Sequence, residues 1–110
     1  TRSLKSGQIE HNDKLTGSLC DAIITPAPGK LTFPIMHRLC GAGVVVSEQE
    51  ALKAAALAFQ RLKIVVEPGG AVGLAAALFH SSESDAPNLI AVCTGGNVDA
   101  EVFTQALATL

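Results

Sequence analysis

The chain has 110 residues, a formal net charge of −2 and an isoelectric point near 5.8, so it is one small domain or part of one and carries no basic surface for nucleic acid. Charged residues make up only 16% against about 25% in an ordinary soluble domain, yet no apolar run reaches the roughly 20 residues of a membrane span. Three cysteines, Cys20, Cys40 and Cys93, lack metal-type spacing and sit in apolar context, which favours reduced, buried thiols of a cytoplasmic protein over a disulfide framework.

Tyr and Trp are absent, and the apolar content is Ala, Leu, Val and Ile. A composition so poor in surface residues suits a segment covered by other protein, either more of its own chain or a partner subunit. Thr1–Ser6 has no signal-peptide stretch and no initiator Met, so the natural chain is expected to begin upstream.

In chain order, Thr1 to Leu4 reads as the tail of a helix that Gly7 terminates, and Gln8 to Ser18 as a polar surface link. His11 and His80 fall in or beside polar loops and read as solvated. Cys20 to Thr25 is a short apolar run ended by Pro26-Ala27-Pro28-Gly29, a turn or extended loop. Thr32 is expected to cap a helix to Cys40, with Leu31, Ile35, Met36 and Leu39 inward and His37 and Arg38 outward. Gly41 and Gly43 stop it.

Val44-Val45-Val46 reads as a buried strand. Ser47-Glu48-Gln49-Glu50 is a capping box opening a helix to about Leu62, whose expected inner face is Leu52, Ala55, Phe59 and Leu62, with Lys53, Gln60 and Arg61 solvated. Ile64-Val65-Val66 is the second expected strand. Pro68 fits the first turn of a helix running to about Phe79. Its many small residues suit either tight helix-on-sheet packing or a helix start that touches a ligand. Ser81 to Asn88 is a polar loop, Leu89 to Cys93 a third strand, and Asp99 the cap of a last helix with Phe103, Ala106, Leu107 and Leu110 on one face. Strands alternating with helices at this spacing indicate an α/β fold, a layered parallel sheet with flanking helices.

In such sheets ligands bind beyond the carboxyl ends of the strands. Two expected strand ends carry suitable chemistry: Glu67-Pro68-Gly69-Gly70-Ala71 and Thr94-Gly95-Gly96-Asn97. Thr94 offers a hydroxyl that donates or accepts, Gly95 and Gly96 let backbone approach a flat ligand, and Asn97 can brace the turn. A glycine pair after a strand also serves simply as a turn. Dinucleotide and phosphate-loop glycine motifs, metal-ligand sets and nucleophile–base motifs are absent. Glu48, Glu50, Glu83, Asp85 and Glu101 are explained by helix-dipole complementarity or solubility. None of Lys5, Lys14, Lys30, Lys53 and Lys63 sits in the desolvated setting that Schiff-base chemistry requires.

Together, Pro28-Gly29-Lys30-Leu31-Thr32-Phe33-Pro34, Val66-Glu67-Pro68-Gly69-Gly70-Ala71-Val72-Gly73 and Thr94-Gly95-Gly96-Asn97-Val98-Asp99 resemble the threonine/serine dehydratase and serine racemase family, within the tryptophan-synthase-β-like pyridoxal-phosphate enzymes. The resemblance covers nearly the whole chain. It implies that residues 1–110 are a carboxyl-terminal part of the pyridoxal-phosphate-binding large domain. It also implies that Thr94, Gly95, Gly96 and Glu67 are cofactor-binding, with the Thr94 hydroxyl on the pyridine nitrogen, although Cys93 is an adjacent alternative.

No catalytic residue maps onto the chain, because the Schiff-base lysine, the phosphate cradle and the acidic metal-ligand stretch would lie upstream. Asp21-Ala22 departs from the Asp-Gly common in relatives. The implied function is part of an ammonia-lyase converting L-threonine or L-serine to a 2-oxoacid and ammonia, inactive by itself. Alternatives are a serine racemase or hydroxyaspartate ammonia-lyase of the same family, or a non-catalytic partner domain. The implied partners are the rest of its own chain, a small hydroxy-amino-acid and further copies in a homo-oligomer, with no nucleic acid or membrane.

Overall fold

Five α-helices supply the regular structure of the computed structural model, which describes residues 1–110: α1 (Arg2–Ser6), α2 (Phe33–Leu39), α3 (Glu48–Leu57), α4 (Pro68–Phe79) and α5 (Ala100–Leu107). Short 3-10 turns lie at Asp21–Ile23 and Ser81–Glu83, and α3 continues into a π-helical turn over Ala58–Leu62. None of the helices is long and apolar enough to cross a membrane.

Local signals set the helix ends. Gly7 takes a left-handed conformation (φ 73°) and its N–H donates to Ser3 O, ending α1. The capping box forms as expected: Ser47 Oγ accepts the Glu50 N–H at 3.2 Å, and Glu50 Oε2 accepts the Ser47 N–H at 2.7 Å. Pro68 occupies the first position of α4, where its missing N–H leaves nothing unsatisfied. Thr32 and Asp99 stand at the caps of α2 and α5, but neither side chain makes a capping bond. Thr32 Oγ1 donates instead to Gly29 O at 3.2 Å.

The core lies where α3 packs on α4 and α5. Ala54, Ala55, Ala58, Ala71, Ala75 and Ala106 meet there around Leu52 and Val66. Alanine on both sides lets the helix backbones approach closely, so a core of small side chains can pack densely. Phe59 and Phe103 meet edge to face at 5.3 Å and 89° on the margin, and the Lys53 ammonium donates to the Thr109 carbonyl, so Lys53 is a tether rather than a solvated surface group.

Several expectations are corrected. The α/β layered parallel sheet does not form: Val44–Val46, Ile64–Val66 and Leu89–Cys93 lie outside the helices and make no ladder. Strand pairing needs a neighbour about 4.8 Å away along the hydrogen-bonding direction, and a parallel strand also needs cover on both faces. Here Val66 is buried, but Val44, Val45, Ile64, Val65, Ile90 and Val92 are exposed, Ile90 to 94%. The face of α2 holds only in part: Met36 is half-buried and His37 and Arg38 are exposed as expected, but Phe33 is the buried residue while Leu31, Ile35 and Leu39 are exposed. On α3 and its extension, Leu52 and Ala55 point inward but Phe59 and Leu62 do not, because the π turn rotates them off the face. Of the three thiols, Cys20 is buried, Cys93 half-buried and Cys40 exposed.

These exposed runs leave the molecule open. Its accessible surface is 7515 Å², against about 5,700 Å² for a self-contained monomer of this mass. It forms a slab of 38 × 36 × 19 Å. One layer of helices is formed, and the surface it would pack against is left bare.

Candidate cofactor site

The amino-terminal end of α4 organises the candidate site. Val66 enters buried, Glu67 holds an extended backbone (φ −71°, ψ 157°) at the cap, and Pro68, Gly69 and Gly70 are buried in the first turn. Against this turn lies the loop Thr94-Gly95-Gly96. Two main-chain bonds join them: the Glu67 N–H donates to Gly95 O at 3.2 Å, and the Thr94 N–H donates to Gly70 O at 3.2 Å. The two segments singled out in the sequence, 27 residues apart from Glu67 to Thr94, are thus brought edge to edge.

Glycine is required on both sides of this contact. A methyl group on Gly70 would fall on the Thr94 carbonyl, and one on Gly95 would fall on the Glu67 carboxylate. Gly95 also has φ 69°, the left-handed region that a side chain disfavours. On Gly96 the added carbon would stand 2.6 Å from Val65 O, too close for any side chain. The glycine-rich start of α4 is therefore explained by close approach of a neighbouring backbone, and the Glu67 carboxylate rests directly on the loop.

A cleft of about 260 Å³ includes Glu67 and Pro68 of this contact in its lining, together with Asn97, Asp99, Ser18 and Asp21. Thr94, Gly95 and Gly96 do not line it. They sit exposed on the neighbouring rim, so the Thr94 hydroxyl is accessible to a partner from outside the chain. Two larger clefts, of about 590 and 770 Å³, contain none of the four candidate residues and border the uncovered Val44–Val46 run. Their size reflects missing cover rather than a shaped pocket.

Sequence reasoning did not find Ser18 and Asp21 as neighbours of Glu67. Asp21 and Glu67 are 46 residues apart in the chain, and the only sequence signal was Asp21 in its Asp-Ala pair. Glu48 was also assigned too little: besides opening α3, its Oε1 accepts the Leu19 N–H at 2.9 Å.

Extended main chain arriving at a glycine-rich helix start, beside a hydroxyl and two bare glycines, is an arrangement suited to a flat, polar-edged ligand. The chain belongs to the pyridoxal-phosphate dependent enzyme family, whose model matches residues 1–95, and the cofactor of that family is pyridoxal phosphate.

Among individual proteins, the chain is 35% identical over 109 residues to serine racemase of Dictyostelium discoideum and 34% identical over 106 residues to L-threo-3-hydroxyaspartate ammonia-lyase of Pseudomonas sp. Each alignment covers 96% of this chain and 33% of the relative. In three dimensions it matches the crystal structure of a T.th. threonine deaminase with a TM-score of 0.82 and 38% identity, over 89% of this chain and 33% of that one. The chain therefore spans about a third of the length of these relatives.

Proposed function

We propose that the chain is the carboxyl-terminal part of the large domain of a pyridoxal-phosphate ammonia-lyase that converts L-threonine or L-serine to a 2-oxoacid and ammonia, with Thr94, Gly95, Gly96 and Glu67 holding the cofactor. The observation that carries this reading is the main-chain pairing of Glu67 with Gly95 and of Gly70 with Thr94, which leaves the Thr94 hydroxyl on an exposed rim.

Pyridoxal phosphate bound there supplies the electron sink that stabilises negative charge at the substrate α-carbon. Thr94 contributes a neutral hydroxyl able to donate or accept. Set against a ring nitrogen, it does not force protonation as a carboxylate would, and so it moderates the sink. That suits β-elimination, in which the departing hydroxyl relieves the charge at once. Gly95 and Gly96 present bare backbone to a flat face, and Glu67 braces the loop from below.

In this reading the proton-abstracting lysine and the phosphate grip are upstream, and the rest of the enzyme covers Val44–Val46, Ile64–Val65 and Leu89–Val92. The bare apolar runs and the excess accessible surface support that partner. The whole enzyme is read as cytoplasmic and homo-oligomeric. Identity of 35% to a serine racemase favours racemisation as the second reading; it uses the same Thr94 rim and differs in groups on the opposite face of the ring.

The test is turnover by the full-length polypeptide that carries these residues. With pyridoxal phosphate it is expected to yield ammonia and 2-oxoacid from L-threonine and L-serine; D-serine as the main product would select the second reading. The 110-residue chain alone is expected to show neither a saturable change in cofactor absorbance nor 2-oxoacid production. Turnover by that chain alone would overturn the assignment of the reactive lysine to an upstream segment.

A further inference from the structure

The amino-terminal end of α4 has a second side. Gly70 faces the Thr94 loop, whereas Gly69 faces the segment Cys20–Ile23: a methyl on Gly69 would lie 3.5 Å from Ala22 Cβ, 3.6 Å from Ile23 Cγ2 and 3.9 Å from Cys20 Cα. This segment has one short 3-10 turn and little regular hydrogen bonding of its own. Its anchor comes from elsewhere. Glu48, in the first turn of α3, accepts the Leu19 N–H at 2.9 Å across 29 residues of sequence. Next to that bond, Ser18 Oγ accepts the Cys20 N–H at 3.1 Å within the segment itself, and no helix other than α3 ties Ser18–Asp21 by a side-chain bond.

The other ends of this tether matter. α3 is fixed by its own capping box, made by Ser47 and Glu50 without Glu48, and by its packing on α4. Ser18 and Asp21 line the same cleft as Glu67, Asn97 and Asp99. We propose that Glu48 is a positioning residue: the segment Ser18–Asp21, hung from its carboxylate at Leu19, is held at a fixed distance from Glu67 and Asn97 in the cleft they line together beside the Thr94 loop. The inference rests on the proposed function, in which Glu67 lies at the cofactor; Glu48 itself does not line the cleft. Ser18, then Leu19, hold the Glu48 carboxyl below the usual carboxylate range, so the acceptor is ionised at neutral pH.

The experiment compares Glu48→Ala and Glu48→Gln with wild type in the full-length polypeptide, reading hydrogen exchange at the Leu19 amide without cofactor, and then KM and kcat with it. Loss of one hydrogen bond predicts roughly tenfold faster exchange at Leu19 and a roughly tenfold higher KM in Glu48→Ala, with kcat within about twofold. Glu48→Gln keeps an acceptor oxygen and is expected to restore most of both, which separates the tether from a general loss of folding. Unchanged Leu19 exchange in Glu48→Ala would overturn the tether. Faster exchange with unchanged KM would show that the segment does not serve the site, and would equally overturn the proposal. Failure of the wild type to bind pyridoxal phosphate would instead remove the functional reading, and the positioning role with it, while the exchange data would still report the Glu48 contact.

Discussion

Gly70 and Thr94 are joined main chain to main chain, the Thr94 N–H donating to Gly70 O at 3.2 Å, with no room for a side chain between them. The depth of the Thr94 loop against α4 is thus set by the absence of a Cβ at residue 70. Because the obstructing atom is backbone, it cannot swing aside as a flexible side chain would. Gly70→Val is expected to cost about 1–3 kcal/mol, the range for overpacking a closed contact. Denaturant midpoints check this, and a variant as stable as wild type would show that the loop does not seat on the helix.

Thr94 itself carries little of the fold. Its side chain is exposed, so Thr94→Ala is expected to change stability by no more than about 0.5 kcal/mol. In the full-length polypeptide the same substitution is expected to weaken pyridoxal-phosphate affinity roughly tenfold, the effect of one hydrogen bond. Thr94→Ser keeps the hydroxyl and should bind near wild type. Titration of cofactor absorbance separates the three, and equal affinity for Ala and Ser would move the ring-nitrogen role off Thr94.

His80 gives the chain a pH dependence of definite sign. Its Nδ1 lies 2.7 Å from Glu83 Oε1 and its Nε2 lies 3.0 Å from Glu50 Oε1. Both contacts are favourable only when both ring nitrogens carry protons. Glu83, then Glu50, raise the His80 pKa above its ordinary 6.5 against the opposing effect of burial. The imidazolium contribution is therefore complete below pH 6.5 and is lost as pH rises through the raised value. Glu50 runs the other way: hydrogen bonds from Ser47 lower its pKa, so its contribution is present above the usual carboxylate range and is lost as pH falls through the lowered value. Unfolding midpoints across pH are expected to peak between these limits. The advantage of wild type over His80→Gln should vanish on the alkaline side, and an advantage that persists there would exclude the doubly paired imidazolium.

What could be read from the sequence was local. The Ser47–Glu50 box, Pro68 at the start of α4 and Gly7 after α1 are each decided within a few residues by backbone chemistry, and each forms. What failed depended on distant partners. Val44–Val46 has the composition of a buried strand, but pairing and cover come from outside the run. Helical spacing identified a stripe on α2 and could not say that Phe33, rather than Leu31, Ile35 and Leu39, is the covered side. Glu67 and Thr94 were legible as candidates through their motifs. Their contact with each other was not, and neither was the bond from Glu48 to Leu19, because nothing in a carboxylate at a helix start marks which distant amide it will accept.

Lys63 offers a test of the backbone where the π turn ends. It is the chain's one non-glycine residue with positive φ, at 61°, and its N–H donates to Phe59 O at 3.1 Å. The left-handed conformation costs an L-residue about 1–2 kcal/mol, whereas glycine adopts it freely. The lysine recovers little, since its Nζ bond to Gln60 O at 2.8 Å is exposed. Lys63→Gly removes the steric cost but adds freedom to the unfolded chain, so a net gain of about 0.5 kcal/mol is expected. Lys63→Asn, which also tolerates this region, should gain a similar amount. Lys63→Val should lose about 1 kcal/mol or more, because branching at Cβ sharpens the clash. The order of denaturant midpoints, Gly and Asn above Lys and Val below it, checks the geometry. A Val variant at or above wild type would mean that the chain does not turn left-handed after Leu62, and the lead from α3 to Glu67 would then follow another path.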